Sequence, residues 1–251
     1  MIVDNHDAIM VLAVKYIHDY REELVMSVTV QNYMKSRHNL SKIVVDYIKE
    51  SILAGLYKEG DHILETEVAN TLGISRAPVR EAIKELEKEG IVITLPRRGT
   101  FVTKFSLEDI REVFEIRMLL ENNIFKILIY EDKLSVEDYT KLENLVLDME
   151  IIANSSADDK EKSIKLNLKD MEFHRYLWEK SGSKRRVKIL EQIFFQLRMA
   201  MLYDTNETGD LIKTATDHYE IIKALKGKDI FKCKEALQKH ITTYKDAFIQ
   251  D

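Results

Sequence analysis

The sequence predicts a mainly α-helical protein. An N-terminal winged helix-turn-helix, α with a small β-hairpin wing, is followed by a C-terminal all-α bundle. Three observations carry this. Thr66–Arg80 reads as a short helix, a tight turn at Gly73 and a second helix. Two short β-branched runs flank Leu95-Pro96-Arg97-Arg98-Gly99 directly after that second helix. From Ser106 onward the chain has helical periodicity and no strand-like alternation, and both prolines, Pro78 and Pro96, precede residue 100. A length of 251 residues favours more than one domain. The expected division is residues 1–38, a helical extension with no assigned role, 39–104, the DNA-binding domain, and 105–251, the effector-binding and dimerisation domain.

Bulk properties narrow the function. A net charge of −5 argues against a protein that coats nucleic acid by charge alone. Residues 39–104 hold ten Lys/Arg and ten Asp/Glu, a balance of zero. Yet Ser75–Arg80 and Ile91–Lys104 together carry Arg76, Arg80, Arg97, Arg98 and Lys104 and no acid. A local basic patch on a neutral domain suits site-specific phosphate and base contacts. One cysteine, Cys233, excludes a disulfide framework or a cysteine zinc cluster and points to the cytoplasm. No run reaches the about 18 apolar residues of a membrane span. Acids rather than a basic segment precede the apolar run Ala8–Val14, so a signal peptide is not expected.

In chain order, Ala8–Val25 is helical by its stripe of Ile9, Leu12, Ala13, Tyr16, Ile17 and Tyr20, and Met26 and Met34 are alternative starts. Leu40–Leu56 is amphipathic through Ile43, Val44, Tyr47, Ile48 and Ile52, with Gly55 and Gly60 ending it. In the helix-turn-helix, Ala69 lets two helices cross closely and Gly73 takes a left-handed conformation at little cost. Ser75 is a suitable N-cap, and Pro78 falls in the first turn. Arg76 and Arg80, four apart, share one face near the start of a recognition helix that runs to about Lys88. Val79, Ile83 and Leu86 point inward, and Gly90 ends the helix. Ile91–Thr94 and Thr100–Thr103 then form a hairpin whose tip carries Arg97, Arg98 and a turn-forming Gly99. A wing there lays its arginines along the backbone or in the minor groove while the helix takes the major groove. The bland alternatives are a helical hairpin with two surface arginines and a solvated turn.

Here the chain resembles the winged-helix domain of the GntR family of bacterial transcription regulators. The matching residues run from Ile52-Leu53-Ala54-Gly55 and Gly60-Asp61-His62-Ile63 through Glu65–Ala69, Leu72–Ala82 and Leu86–Gly90 to Arg98–Val102. Two departures stand out: Glu59 replaces the usual Pro, and Thr66 stands where some members place a DNA-contacting Arg. The resemblance implies DNA contacts from Ser75, Arg76, Arg80, Arg97, Arg98 and Gly99, with Thr66 the weakest of the set.

Beyond Ser106, helices are expected near 107–131, 135–153, 159–181, 183–204, 209–226 and 229–249, a bundle of six. Ser106 with Asp109 and Ser135 with Asp138 form capping boxes. Three histidines, His174, His218 and His240, each sit on the apolar stripe of their helix. A lone histidine there is usually a satisfied core residue; three are harder to dismiss. Asp170 and His174 stand at i and i+4, so they point to one spot. His218 and His240 lie symmetrically about residue 229, so antiparallel helices ~8–10 Å apart would set both imidazoles at one height. Three neutral imidazoles and a carboxylate suit a divalent ion such as Zn²⁺, Ni²⁺ or Mn²⁺.

This half resembles the FCD ligand-binding domain of the FadR branch of GntR regulators. The matches are Glu115-Ile116-Arg117 with Glu121, Asp170 with Phe173-His174, His218 with Ile221, Ala224-Leu225 and Lys228-Asp229, and Ala236-Leu237 with His240-Ile241. In metal-binding members an Asp and three His at these positions hold the ion. Arg117 points inward and either clamps an effector carboxylate beside the metal or pairs with Glu121; Arg198 is a second candidate anchor.

The resulting expectation is a cytoplasmic, homodimeric, ligand-responsive regulator, with repressor as the favoured sense. Its partners are double-stranded DNA at a near-palindromic operator and a small carboxylate, with no membrane and no catalysis. Two rivals remain open: a metal-dependent enzyme using the Asp/His₃ site, and a regulator whose metal is purely structural.

Overall fold

The computed structural model describes residues 37–208 and 210–242, with backbone alone for 37–39, 203–208 and 242. The helix expected over Ala8–Val25 and the end of the last helix beyond residue 242 lie outside the described residues. Two compact units meet in sequence between Phe105 and Ser106.

The first unit contains α1 (Arg37–Leu53), β1 (His62–Ile63), α2 (Glu65–Leu72), α3 (Arg76–Lys88), β2 (Val92–Leu95) and β3 (Gly99–Val102). α1 packs chiefly on α3, burying Val44, Val45, Ile48 and Ile52 against Val79, Ala82, Ile83 and Leu86 in one core. The α1 stripe differs from the expected one, because Ile43 is 39% exposed while Val45 is buried. The helix also ends three residues before Leu56, leaving a turn with Gly55 at φ 76°. α2 and α3 each stop at a left-handed glycine. At Gly73 the Ile74 N–H reaches the Ala69 carbonyl at 3.0 Å; at Gly90 the Ile91 N–H reaches the Leu86 carbonyl at 2.9 Å. Both are Schellman closures, which satisfy carbonyls that the helix itself leaves open.

The wing is a three-stranded antiparallel sheet in the order β1-β3-β2. The two hairpin strands, β2 and β3, match the expectation, each shifted by one residue. The third strand is too short to have been read from periodicity: only His62↔Phe101 and Ile63↔Thr100 pair. Leu95 pairs with Gly99, so the turn is Pro96-Arg97-Arg98 and Gly99 is already in the strand.

The second unit is helical throughout its described residues: α4 (Leu107–Tyr130), α5 (Val136–Ala153), α6 (Asp159–Lys180), α7 (Lys184–Gln192), α8 (Phe194–Thr208), α9 (Leu211–Thr216), α10 (His218–Lys226) and α11 (Ile230–Thr242). Ser106 and Ser135 form the expected capping boxes with Asp109 and Asp138. Two of the six expected helices are each split. The first break is at Ile193, with no proline or glycine to cause it. The second is at Asp217, and its cause is local. The Nδ1 of His218 lies 3.0 Å from the Thr214 carbonyl and 3.1 Å from that of Ala215, so the imidazole takes up acceptors that a continuous helix would offer to backbone N–H groups. α4, α6, α10 and α11 converge at the centre of the unit, and α5 and α8 flank α6.

Candidate functional site

At the open ends of α2 and α3 the structure gathers polar groups. Arg76 Nη2 donates to Glu65 Oε2 at 3.1 Å, and Arg80 Nε donates to the same oxygen at 2.8 Å. Both arginines stay more than half exposed. Burial works against the ionised Glu65, but the two guanidiniums outweigh it and hold its carboxyl below the usual range. Thr66 and Ser75 are exposed beside them, and Arg97 and Arg98 are exposed on the wing tip. Ser75 occupies the N-cap position with extended backbone, yet its side chain makes no capping hydrogen bond, contrary to the role expected of it.

Gly99 also has a different part from a turn residue. It sits at φ +104°, and a Cβ there would stand 2.2 Å from His62 Nε2. The ring that demands the glycine is itself stacked on Phe101, with centroids 4.8 Å apart. Arg97, at φ 63°, takes the left-handed position in the turn.

In the second unit, α6 brings Asp170 and His174, α10 brings His218 and α11 brings His240 to one point. One ligand atom from each lies within 4.8 Å of all the others, and all four residues are buried. The rings of His218 and His240 have centroids 4.3 Å apart, and those of His174 and His240 5.2 Å. Phe173 walls the cluster, edge-on to His218 at 4.7 Å.

Hydrogen bonds outside the cluster fix what faces into it. His174 Nδ1 is 2.7 Å from Glu121 Oε2. Burial opposes ionisation of Glu121, but His174 and Arg117 outweigh it and bring its pKa to about 2. An ionised carboxylate only accepts, so His174 Nδ1 donates. Burial, with Arg117 adding to it, lowers the pKa of the His174 ring; burial and His218 lower that of His240 to about 3. Neutral His174 therefore turns an Nε2 lone pair inward, 3.3 Å from His240 Nε2. His218 donates from Nδ1 to the Thr214 and Ala215 carbonyls, which leaves Nε2 as the nitrogen turned into the cluster. That atom lies 3.1 Å from Asp170 Oδ2, an approach without hydrogen-bond geometry. His218 Nε2 and both Asp170 oxygens are buried with no hydrogen-bond partner among the described residues. Asp170 Oδ2 also lies 3.3 Å from His240 Nε2, and Oδ1 3.6 Å from Arg117 Nη2, close approaches that complete no hydrogen bond. Buried acceptors left so are costly, and a divalent cation supplies what they lack. The donor set, three imidazole nitrogens and a carboxylate, fits such an ion.

Of the two readings of Arg117, the pairing with Glu121 is present, Nε to Oε1 at 2.6 Å with both side chains fully buried. The same guanidinium stands with Nη2 3.6 Å from Asp170 Oδ1 and Nη1 3.6 Å from Met201 Sδ. Arg198, 4% exposed, donates from Nε to Asn167 Oδ1 at 3.1 Å, and Asn167 Nδ2 donates to the Arg198 carbonyl at 3.2 Å. Sequence reasoning gave Glu121 no role beyond Arg117 and missed Asn167. Asn167 carried a signal, a polar residue one turn before Asp170 on the buried face of its helix. The bond from Glu121 to His174 spans 53 positions and leaves no local trace.

Comparison with known proteins follows the same division. Residues 40–102 match the model for bacterial regulatory proteins of the gntR family, and residues 112–243 match that for the FCD domain. The chain is 30% identical over 199 residues to the HTH-type transcriptional regulator YdhC of Bacillus subtilis (strain 168), covering 78% of this chain and 84% of that one. It is 27% identical over 190 residues to the gluconate operon transcriptional repressor of the same organism, covering 72% and 74%. Among solved structures, E. coli McbR/YncC superposes with a TM-score of 0.66 at 22% identity, over 83% of this chain and 98% of that one, which speaks to the fold.

Proposed function

Since the chain belongs to the gntR family of bacterial regulatory proteins, a transcription regulator with an FCD domain behind its winged helix, we propose that the FCD unit holds a divalent metal through Asp170, His174, His218 and His240. In this reading a small carboxylate binds at that metal and at Arg117, with Arg198 as a further anchor, and its binding changes the affinity of the winged helix for operator DNA. The chain acts as a homodimer on a near-palindromic operator, read by Arg76 and Arg80 with Thr66 and Ser75 beside them, and steadied by Arg97, Arg98 and Gly99 of the wing. The sense of control is repression, as the name of the B. subtilis gluconate operon repressor states for that relative.

The observation that carries the metal reading is the convergence of one ligand atom from each of four buried residues within 4.8 Å of one another, with His218 Nε2 and both Asp170 oxygens making no hydrogen bond among the described residues. Charge supports the carboxylate. With the imidazoles in the neutral form that ligation of a metal requires, Glu121, Asp170 and Arg117 sum to −1; a divalent ion brings the group to +1, and a monoanion brings it to zero. When bound, the metal supplies a Lewis-acidic coordination position. The residues themselves orient the imidazoles and keep water out. The coupling to DNA must be a difference in carboxylate affinity between two states of the protein, and it is reciprocal.

The test is elemental analysis of the purified protein, followed by a thermal-shift screen of small carboxylates against metal-loaded and chelator-treated samples. A hit that needs the metal and changes DNA affinity supports the reading. A protein that takes up no divalent ion overturns it.

One observation favours a second reading, in which the metal is purely structural: Asp170, His174 and His218 are 0% exposed. Chelation would then unfold the unit, and no carboxylate would alter DNA binding. Light scattering of the intact protein decides the dimer.

A further inference from the structure

We propose that Glu121 is the positioning residue of this centre: a single carboxylate that sets the tautomer of His174 with one oxygen and holds Arg117 with the other. The inference rests on the metal reading above. Oε2 of Glu121 is 2.7 Å from His174 Nδ1, and Oε1 is 2.6 Å from Arg117 Nε. Neither side chain of either pair has any solvent exposure, so both contacts are made away from bulk water.

His174 has two neutral tautomers. With the proton on Nδ1 it donates to Glu121 and presents a lone pair to the cluster. With the proton on Nε2 it sets a lone pair against a carboxylate oxygen and an N–H against the metal position. Glu121 therefore selects the one form that ligates. His218 is locked by different means, its Nδ1 against the Thr214 and Ala215 carbonyls. Backbone carbonyls cannot be drawn away by a ligand. Glu121 can change its hold, because its other oxygen is tied to the guanidinium proposed to receive the effector. When a carboxylate draws Arg117 off, Glu121 loses one cationic partner and accepts more strongly from His174, making Nε2 a better donor to the metal. Glu121 thus links the two halves of the site, and metal and carboxylate strengthen each other through it.

The test is Glu121→Gln in the full chain. A glutamine side chain offers one acceptor oxygen and one amide donor, so it cannot accept from both His174 and Arg117. Zn²⁺ affinity, measured by competition with a chromogenic chelator, should fall about 10- to 100-fold. In metal-free protein, ¹⁵N shifts of the imidazoles should show His174 as Nδ1–H in the wild type and as a tautomer mixture in the variant, while His218 stays Nδ1–H in both. A merely structural role would lower affinity without moving the His174 tautomer. Wild-type affinity with an unchanged tautomer in E121Q overturns the proposal. Should E121Q fail to fold, the wild type alone decides, since a His174 that is Nε2–H without metal contradicts the assignment. If the wild type binds no Zn²⁺, the metal reading fails, while the tautomer measurement still judges the role of Glu121 toward His174.

Discussion

Arg80 Nε donates to Glu65 Oε2 at 2.8 Å, joining the recognition helix to the first turn of the helix before it. Arg76 uses the same oxygen at 3.1 Å. Each guanidinium spends one N–H on Glu65 and retains four for other partners. Exposed ion pairs of this kind contribute only ~0.2–1 kcal/mol to stability. Arg76→Ala or Arg80→Ala should therefore barely alter thermal unfolding. Each should weaken binding to a duplex enriched from a random library by the wild-type protein, by ~1–3 kcal/mol where a base contact is lost. Fluorescence anisotropy measures the loss, and an unchanged dissociation constant in both variants would refute the assignment of α3 as the reading helix.

Gly99→Ala should destabilise the wing by ~1–3 kcal/mol, the usual cost of a residue forced into a sparsely populated backbone region. Two causes are separable here: the +104° φ and the 2.2 Å approach to His62 Nε2. The double variant with His62→Ala removes the second and leaves the first. It should recover part of the stability and no more. Full recovery would mean that the backbone conformation costs nothing.

These cases mark what the sequence could and could not disclose. The recognition helix, its closing Gly90 and the hairpin were legible because periodicity, a left-handed glycine and β-branched runs are local signals. β1 was not, since two residues have no period, and so the purpose of Gly99 was misread as a turn when part of its constraint comes from His62, 37 positions earlier in the chain. In the second half, the i and i+4 placement of Asp170 and His174 and the symmetry of His218 and His240 about residue 229 pointed to one site. The helix break at Asp217 was invisible because the group that causes it, the His218 ring, was being read as a ligand and not as a cap on the preceding carbonyls. Glu121 was hidden for a related reason: its visible neighbour, Arg117, accounted for it.

His218→Ala should release the metal. It removes the ligand whose Nε2 is buried without a hydrogen-bond partner, and it frees the Thr214 and Ala215 carbonyls. In wild-type protein, metal at 100 times its dissociation constant adds ~2.7 kcal/mol by mass action. A rise in melting temperature on adding Zn²⁺ that is absent from the variant is the expected outcome. Full retention of bound metal by elemental analysis would remove His218 from the ligand set.

Asp138 offers a stability test away from the Asp170/histidine cluster. It closes the capping box of α5, with Ser135 N–H donating to its Oδ2 at 2.8 Å. Its Oδ1 accepts from the Tyr176 hydroxyl and from Lys180 Nζ, the latter at 2.5 Å, tying α5 to α6. Burial opposes the charge, but Lys180, Tyr176 and Ser135 outweigh it and hold the carboxyl below its usual range. A depressed folded-state pKa contributes stability above the unfolded value of about 3.9, and that contribution is lost as pH falls through the folded value. Lys180 is 37% exposed, so screening reduces its share. Asp138→Asn should cost ~1–3 kcal/mol at pH 7, mostly through the capping bond and the Tyr176 bond. Urea denaturation followed by the fluorescence of Trp178, buried in the same unit as the only tryptophan of the chain, reports the difference. The gap between wild type and variant should hold steady from pH 7 to about 5 and narrow below about 4. A gap that widens on acidification would mean that Asp138 is protonated more easily in the folded protein than in the unfolded chain, the reverse of what its three partners impose.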